Sequence, residues 1–387
     1  MTREREPRVA IVHDYLTQRG GAERVVLAMA AAFPGAPIYT SFFAPEVTFP
    51  EFADLEVHTM PLNRVGLLRD HHRLALPVLA PAFSRLHVTA DVVICSSTGW
   101  AHGTHVTGRR VVYCHSPARW LWVKDQYLPP GSSFAKVAAM ALLERPLRNW
   151  DVRAAQRADR YLVNSRLIQD RVKHAYGIDS EVVPPPFTLP VDGPQQAPIV
   201  RPNAPPLEPG FFLCVSRLLS YKNVRQVVEA FALLPDRRLV VVGAGPDEAG
   251  VRAVAGANIS FTGTVGDEEL AWLYANSAGL IAAAYEDFGI TPLEAAAFGV
   301  PVAALRWGGY LDTVRDGETG VFFDQPHVGP IRDAVVRLLG RSWDRAVLVA
   351  HAGTFSEARF AQRMQGVVDE EIALATTSSR ASAERPR

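Results

Sequence analysis

The chain has few cysteines, no net charge and no long apolar run, and each shortage narrows what it can be. Cys95, Cys114 and Cys214 are the only cysteines in 387 residues. Each stands alone in an apolar, strand-like stretch, without C-x-x-C or any other metal spacing. Neither a disulfide framework nor a zinc site organises the fold, and buried reduced thiols of a cytosolic protein are expected. No apolar stretch reaches the ~20 residues that a membrane-crossing helix needs. Met1 to Arg8 is charged and leads straight into a short strand, so it is not read as a secretory signal, and a cytoplasmic location is expected.

Forty Lys and Arg balance forty Asp and Glu, which argues against a nucleic-acid partner. The balance is uneven along the chain: residues 1–187 hold 22 basic and 17 acidic side chains, the rest 18 and 23. A mildly basic first half points to one face meeting something anionic. P-loop, G-x-S-x-G, H-E-x-x-H and D-x-D phrases are all missing, against P-loop, serine-hydrolase and zinc-protease chemistry. Without D-x-D there is no simple carboxylate pair for a diphosphate-bridging Mg²⁺, so a bound diphosphate would have to be neutralised by side-chain cations.

What is present is a long α/β alternation. Nearly half the residues are hydrophobic, and the length favours two domains over one core. Apolar runs at Arg8–His13, Ile38–Thr40, Leu55–Thr59, Asp91–Cys95, Val111–His115 and Tyr161–Asn164 alternate with helical segments, the pattern of a mostly parallel sheet. A second series begins at Phe211–Ser216 and continues to Val321–Phe323. Between them the proline-dense stretch Pro184–Pro209 reads as an extended connector. The expected division is a first domain over 1–186, a linker over 187–209, a second domain over 210–354, a helix over 355–374 returning to the first domain, and a disordered tail over 375–387.

Four stretches carry chemistry. Gly20-Gly21 follows the first strand and opens a helix; their backbone could approach a phosphate or sugar, or simply make a tight turn at positive φ. His115 ends an apolar strand, where ligands bind in open α/β sheets, and is followed by a Ser-Pro turn and two tryptophans. Ser216-Arg217-Leu218-Leu219-Ser220-Tyr221-Lys222-Asn223 places a planar guanidinium and a mobile ammonium at a strand end. Tyr285-Glu286-Asp287-Phe288-Gly289-Ile290-Thr291-Pro292-Leu293-Glu294 is a strand-to-helix turn with one acid on the turn and another in the first helical turn. A fifth stretch, His58–His87, interleaves Arg64, Arg69, Arg73 and Arg85 with leucines and valines. It reads either as an ordinary surface helix or as a peripheral contact with an anionic membrane surface.

Taken together these phrases resemble the GT-B glycosyltransferases, specifically the large retaining family 4 with its E-x7-E element, over roughly residues 8–372. Glu286 and Glu294 match that element; the S-R-L-x-x-Y-K phrase, the glycine pair, Y-C-H-S-P and Val163-Asn164-Ser165 follow in family order. Y-C-H-S-P-x-R-x-L-W and N-W-D-x-R-A-A-Q-R-A-D look most like the mannosyltransferase branch that uses GDP-mannose. Asn223 departs from the pattern, many members having a basic residue there. The resemblance implies two Rossmann-like doubly wound domains facing a central cleft, no tightly bound metal or cofactor, and a nucleotide sugar as donor. It implies that Arg217 and Lys222 hold the donor diphosphate, Glu294 the ribose hydroxyls, and Glu286 with the backbone of Phe288, Gly289 and Ile290 the sugar hydroxyls. His115 would lie against the sugar, with Gly20 and Gly21 near the phosphate; Asp14 is a candidate acceptor contact. The implied reaction is transfer of a hexose, mannose from GDP-mannose, to a glycan or lipid-linked acceptor in polysaccharide or glycolipid assembly at the inner face of the plasma membrane. With no convincing nucleophile in the sequence, front-face attack is favoured, the departing phosphate taking the acceptor's proton. Competing readings are a UDP- or dTDP-sugar donor, a sugar-nucleotide epimerase of the same fold, and a non-catalytic sugar-binding protein.

Overall fold

The computed structural model describes residues 8–71, 75–123, 134–199 and 207–383, with the side chains at 77, 134–142 and 378–383 outside the description. The chain divides into two compact units, Met1–Pro186 with Glu357–Arg387, and Phe187–Ser356.

In the first unit seven strands form one parallel sheet: β1 (Val9–His13), β2 (Ile38–Thr40), β3 (Val57–Thr59), β4 (His87–Ser97), β5 (His105–Cys114), β6 (Arg160–Val163) and β7 (Glu181–Val182). Their spatial order is β3-β2-β1-β4-β5-β6-β7. Successive residues of a strand point to opposite faces, and here both faces are covered. Ala10, Val12, Val93, Cys95 and Val112 enter one core, while Ile11, Val92, Ile94, Val111 and Tyr113 enter another. Two-sided burial is why these strands read as continuous apolar runs rather than alternating ones. The second core is closed by Phe360, Met364, Val367 and Val368 of the helix Glu357–Ala383. Ion pairs fasten that helix at its polar edge, Arg109 to Glu371 at 2.6 Å and Arg160 to Glu370 at 2.5 Å.

The second unit repeats the scheme with six parallel strands, β8 (Phe211–Val215), β9 (Leu239–Val242), β10 (Ile259–Gly263), β11 (Ser277–Ala282), β12 (Val302–Leu305) and β13 (Gly320–Phe323), ordered β10-β9-β8-β11-β12-β13. Both sheets are doubly wound, and in each the order reverses beside the first strand: between β1 and β4, and between β8 and β11. Ligands of open α/β sheets bind at the carboxyl ends of strands at such a reversal.

Three features differ from the sequence expectation. Strands β4 and β5 extend far beyond the apolar runs, because their first halves are half-exposed and polar, with His87 opposite His105. The proline-dense stretch is not simply a connector. Leu189 is buried and Phe187 and Val191 pack on the second unit, so apolar residues set between prolines dock the chain. Residues 200–206 of that stretch lie outside the described residues, as do His72, Arg73 and Leu74 of the basic segment. The last helix runs on to Ala383, through most of the stretch read as a disordered tail. There Thr376 and Thr377 donate their hydroxyls to the carbonyls of Ile372 and Ala373, both at 2.9 Å, which satisfies small polar side chains inside a helix. Residues 384–387 lie outside the described part.

Candidate functional site

Residues expected to be functional collect at the reversal point of each sheet. In the second unit, the chain leaving β8 turns through Arg217 to a short 3₁₀ turn, Ser220–Lys222. Arg217 is exposed and has no side-chain partner among the described residues. Lys222 is nearly buried and forms an ion pair with Glu286, which leaves β11 alongside; Lys222 Nζ also lies 4.9 Å from the centre of the Tyr221 ring. Asn223 has φ 56°, a left-handed conformation rare outside glycine, and its side-chain amide donates to the Ala283 carbonyl at 2.8 Å. That explains the departure at this position. Asparagine tolerates the left-handed turn and its amide ties the β8 loop to the end of β11.

The turn after β11 is built around two glycines. Gly289 has φ 77°, and a Cβ on it would stand 2.5 Å from the Tyr310 ring. A Cβ on Gly309 would stand 2.2 Å from the Phe288 carbonyl oxygen, and the Gly309 N–H donates to the Glu286 carbonyl at 3.0 Å. Phe288 is buried and Ile290 half-buried at the entrance of the helix Thr291–Ala297. Pro292 sits in its first turn, where no N–H is needed. Glu294, largely buried, accepts a hydrogen bond from the Tyr274 hydroxyl at 2.8 Å. Burial, with the Glu294 carboxylate beside it, holds the Tyr274 phenol well above its usual range, so it stays a donor.

In the first unit, neither Gly20 nor Gly21 has positive φ, so the tight-turn explanation fails for both. A Cβ on Gly20 would meet Glu23 Oε2 at 2.4 Å and make that carboxylate shift; Gly21, the first helical residue, has open space where its Cβ would be. Asp14, the candidate acceptor contact, is 1% exposed. Its carboxylate accepts from the Thr98 N–H and hydroxyl at 2.6 and 2.5 Å, and from the Trp100 and Ala101 N–H groups at 3.1 and 2.6 Å. The structure therefore makes it a brace for the loop after β4, with no oxygen left for a ligand.

His115 follows β5. Its N–H donates to the Ser97 carbonyl at 2.9 Å, and its own carbonyl accepts from Asn164 Nδ2 at 3.1 Å. Burial pushes its imidazole down to about 3, with His13 and Arg119 acting in the same direction. The ring is neutral at physiological pH. In the unfolded chain it would titrate near 6.5, so between those values the unfolded state binds the extra proton. The contribution is fully present above about pH 6.5 and is lost as pH falls toward 3, on the order of 5 kcal/mol in all. Urea unfolding measured from pH 7.5 to pH 4 is expected to show wild type losing more stability than His115→Gln; parallel curves would contradict the assignment.

Asp151 was not singled out by its chemistry, yet it joins two of the sequence phrases. Its Oδ2 accepts from Trp122 Nε1 at 2.7 Å and from the Tyr176 hydroxyl at 2.9 Å, and its Oδ1 lies 2.9 Å from His102 Nε2. The segment after His115 is thereby seated on the N-W-D helix. Ser96, between His13 and His115, and Tyr274, behind Glu294, were also missed. A serine and a tyrosine in apolar strand and helix runs carry no spacing signal. All three cysteines are buried thiols outside any disulfide, and burial pushes Cys95 and Cys214 up to about 12. Among the described residues no cluster of three His, Cys, Asp or Glu could hold a metal, and no helix is long and apolar enough to cross a membrane.

Comparison with known proteins bears on both units. Residues 19–189 match the family described as Glycosyltransferase Family 4, and residues 195–350 match Glycosyl transferases group 1. The chain is 32% identical to the D-inositol 3-phosphate glycosyltransferase of Mycobacterium tuberculosis over 238 residues, which is 55% of this chain and 49% of that one. It thus spans about half the length of the curated relatives it matches. Among solved structures, the Anabaena HepE protein in complex with UDP and glucose aligns with a TM-score of 0.66 at 17% identity, covering 94% of this chain and 100% of that one. The sucrose-phosphate synthase of Thermosynechococcus elongatus aligns at 0.64 and 18%, covering 95% and 100%. At such identities these structures speak for the fold alone. The two family matches follow one another over most of the sequence, and the chain belongs to the group 1, family 4 type of glycosyltransferases with the GT-B fold.

Proposed function

We propose that the protein is a retaining hexosyltransferase that takes mannose from GDP-mannose and adds it to a glycan or lipid-linked acceptor. The observation that carries this reading is the meeting of Lys222 and Glu286 at the sheet reversal of the second unit, with the Tyr274-held Glu294 in the first turn of the helix that follows Glu286. A leaving nucleoside diphosphate gains negative charge as the glycosidic bond breaks. Arg217 and Lys222 share one loop and would take up that charge, and stabilising charge as it develops is usually the largest single catalytic effect in such sites. Glu286 and Glu294 are hydrogen-bond acceptors suited to sugar and ribose hydroxyls, with the backbone of Phe288, Gly289 and Ile290 beside them. Acceptors left unpaired by the wrong sugar would discriminate against it by about 10⁴-fold. His115 and the open space over Gly21 belong to the same reading from the first unit. The departing phosphate would take the acceptor's proton in a front-face attack.

The choice of guanine over uracil, and of mannose over glucose, rests on the resemblance of the H-S-P and N-W-D phrases; HepE, of similar fold, is recorded with UDP and glucose. Thermal-shift measurements with GDP, UDP, ADP and dTDP, followed by product analysis with the matching nucleotide sugars, test the proposal. GDP should raise the melting temperature most, and GDP-mannose should yield GDP and a mannosylated acceptor with retained configuration. Stabilisation by UDP alone would move the donor to a UDP-sugar. A new nucleotide sugar formed without acceptor would mean an epimerase instead.

Val65, Leu67 and Val78 are exposed apolar side chains in the stretch that carries Arg64, Arg69 and Arg85, the basis for a peripheral contact with an anionic membrane. Co-sedimentation with anionic vesicles should be lost in Leu67→Asp; binding unchanged by that substitution would remove this partner.

A further inference from the structure

We propose that Ser96 and His13 are positioning residues that hold His115 in the neutral tautomer with its proton on Nδ1, so that the ring offers an N–H donor, and no acceptor, to a ligand oxygen. That the ligand is a donor sugar rests on the function proposed above; the tautomer does not.

The three residues stand at the carboxyl ends of β1, β4 and β5, which are neighbours in the sheet, and His13 pairs directly with Ser96 in the β1–β4 register. His13 Nδ1 lies 3.1 Å from the Ser96 carbonyl oxygen and 3.0 Å from Ser96 Oγ. Ser96 Oγ lies 2.8 Å from His115 Nε2. A carbonyl oxygen only accepts, so the proton of this contact is on His13 Nδ1. That nitrogen therefore cannot take the serine hydroxyl's hydrogen. Ser96 is fully buried, with no solvent to receive it, and the acceptor within reach is His115 Nε2. A neutral imidazole that accepts at Nε2 carries its hydrogen on Nδ1.

Other observations favour the same state. His115 is held neutral by burial, as its lowered pKa of about 3 shows. Its backbone is pinned on both sides by Ser97 and Asn164, which leaves the ring torsions as its remaining freedom. The Tyr113 ring packs edge-on at 5.2 Å and His13 at 6.4 Å, so the ring plane is fixed as well. Glu23, on the first helix, is buried with its pKa raised by desolvation, and His13 acts on it in the opposite direction. No hydrogen bond to His115 Nδ1 is found among the described residues. A donor so fixed would pair with a sugar hydroxyl through the hydroxyl's oxygen, and it would not serve as a base toward an acceptor.

Nitrogen NMR of histidine-labelled wild-type protein at pH 7, with His115 identified by the signals lost in His115→Gln, reads the tautomer directly. A protonated Nδ1 and an unprotonated Nε2 are expected. A proton on Nε2, or averaged signals from two exchanging tautomers, would overturn the proposal. This spectrum decides the tautomer whether or not the chain transfers sugar. The positioning role has its own readout. Ser96→Ala should give averaged ring signals and lower kcat by about ten- to a hundredfold, as expected of a misplaced contact in a reacting complex. Ser96→Thr, which keeps the hydroxyl, should restore both. Wild-type kcat in Ser96→Ala would refute positioning while leaving the transferase assignment standing.

Discussion

Lys222→Ala is expected to lower sugar transfer by about 10²–10³-fold, the usual effect of removing one preorganised charge that meets the leaving group. Lys222 is 8% exposed at its side chain and paired with Glu286, itself 31% exposed. Truncation therefore removes the cation and also leaves the carboxylate without its partner, in a place where a sugar hydroxyl would have to approach. The partial exposure of Glu286 keeps the structural penalty small, because water can solvate the freed charge. Steady-state kinetics with the donor identified by the nucleotide panel, alongside a thermal melt, separates the two effects. Transfer should collapse while the melting temperature changes little. Turnover within a few-fold of wild type would remove Lys222 from the chemistry.

Asp14→Ala is expected to damage the fold rather than the reaction. Its carboxylate is the shared acceptor for three backbone N–H groups and one hydroxyl in the loop Thr98–Ala101. Each buried donor left unpaired costs about 1–3 kcal/mol. Four such donors total about 4 kcal/mol at the low end of that range, already a large part of the ~5–15 kcal/mol that holds a domain together. The first unit should melt roughly 10 °C lower, at about 2–4 °C per kcal/mol for its size. Differential scanning calorimetry reads this. A melt unchanged by the substitution, together with a raised KM for the acceptor, would restore Asp14 to the acceptor role the sequence had indicated for it.

Asp14 also shows where sequence reasoning stops. Its partners lie 84 to 87 positions away and three of them are backbone groups, which have no residue identity to read. An acid after the first strand thus looks available for a ligand until the sheet places β4 beside β1. Ser96 was hidden for the same reason, being a small polar residue at the end of an apolar run whose neighbours on both sides come from other strands. By contrast, the local setting of Lys222, Glu286 and Glu294 was legible. Lys222 and Glu286 stand on the turns that leave two apolar strands, Glu294 stands in the first turn of the next helix, and glycine and Pro292 mark that turn and the helix start in the sequence itself. The fold was legible because two-sided burial leaves continuous apolar runs. The polar first halves of β4 and β5, the docked proline stretch and the extended last helix were not, because tertiary contacts rather than local pattern hold them.

Calorimetric titration of the stabilising nucleoside diphosphate against wild type, Lys222→Ala and Glu294→Ala tests the central claim most directly. The claim is that a basic side chain grips the diphosphate while a tyrosine-held acid grips the ribose. Affinity is predicted to fall at least about tenfold in each variant, the loss of one charge-assisted or hydroxyl hydrogen bond of about 1.4 kcal/mol or more. Equal affinity in all three proteins would contradict the account.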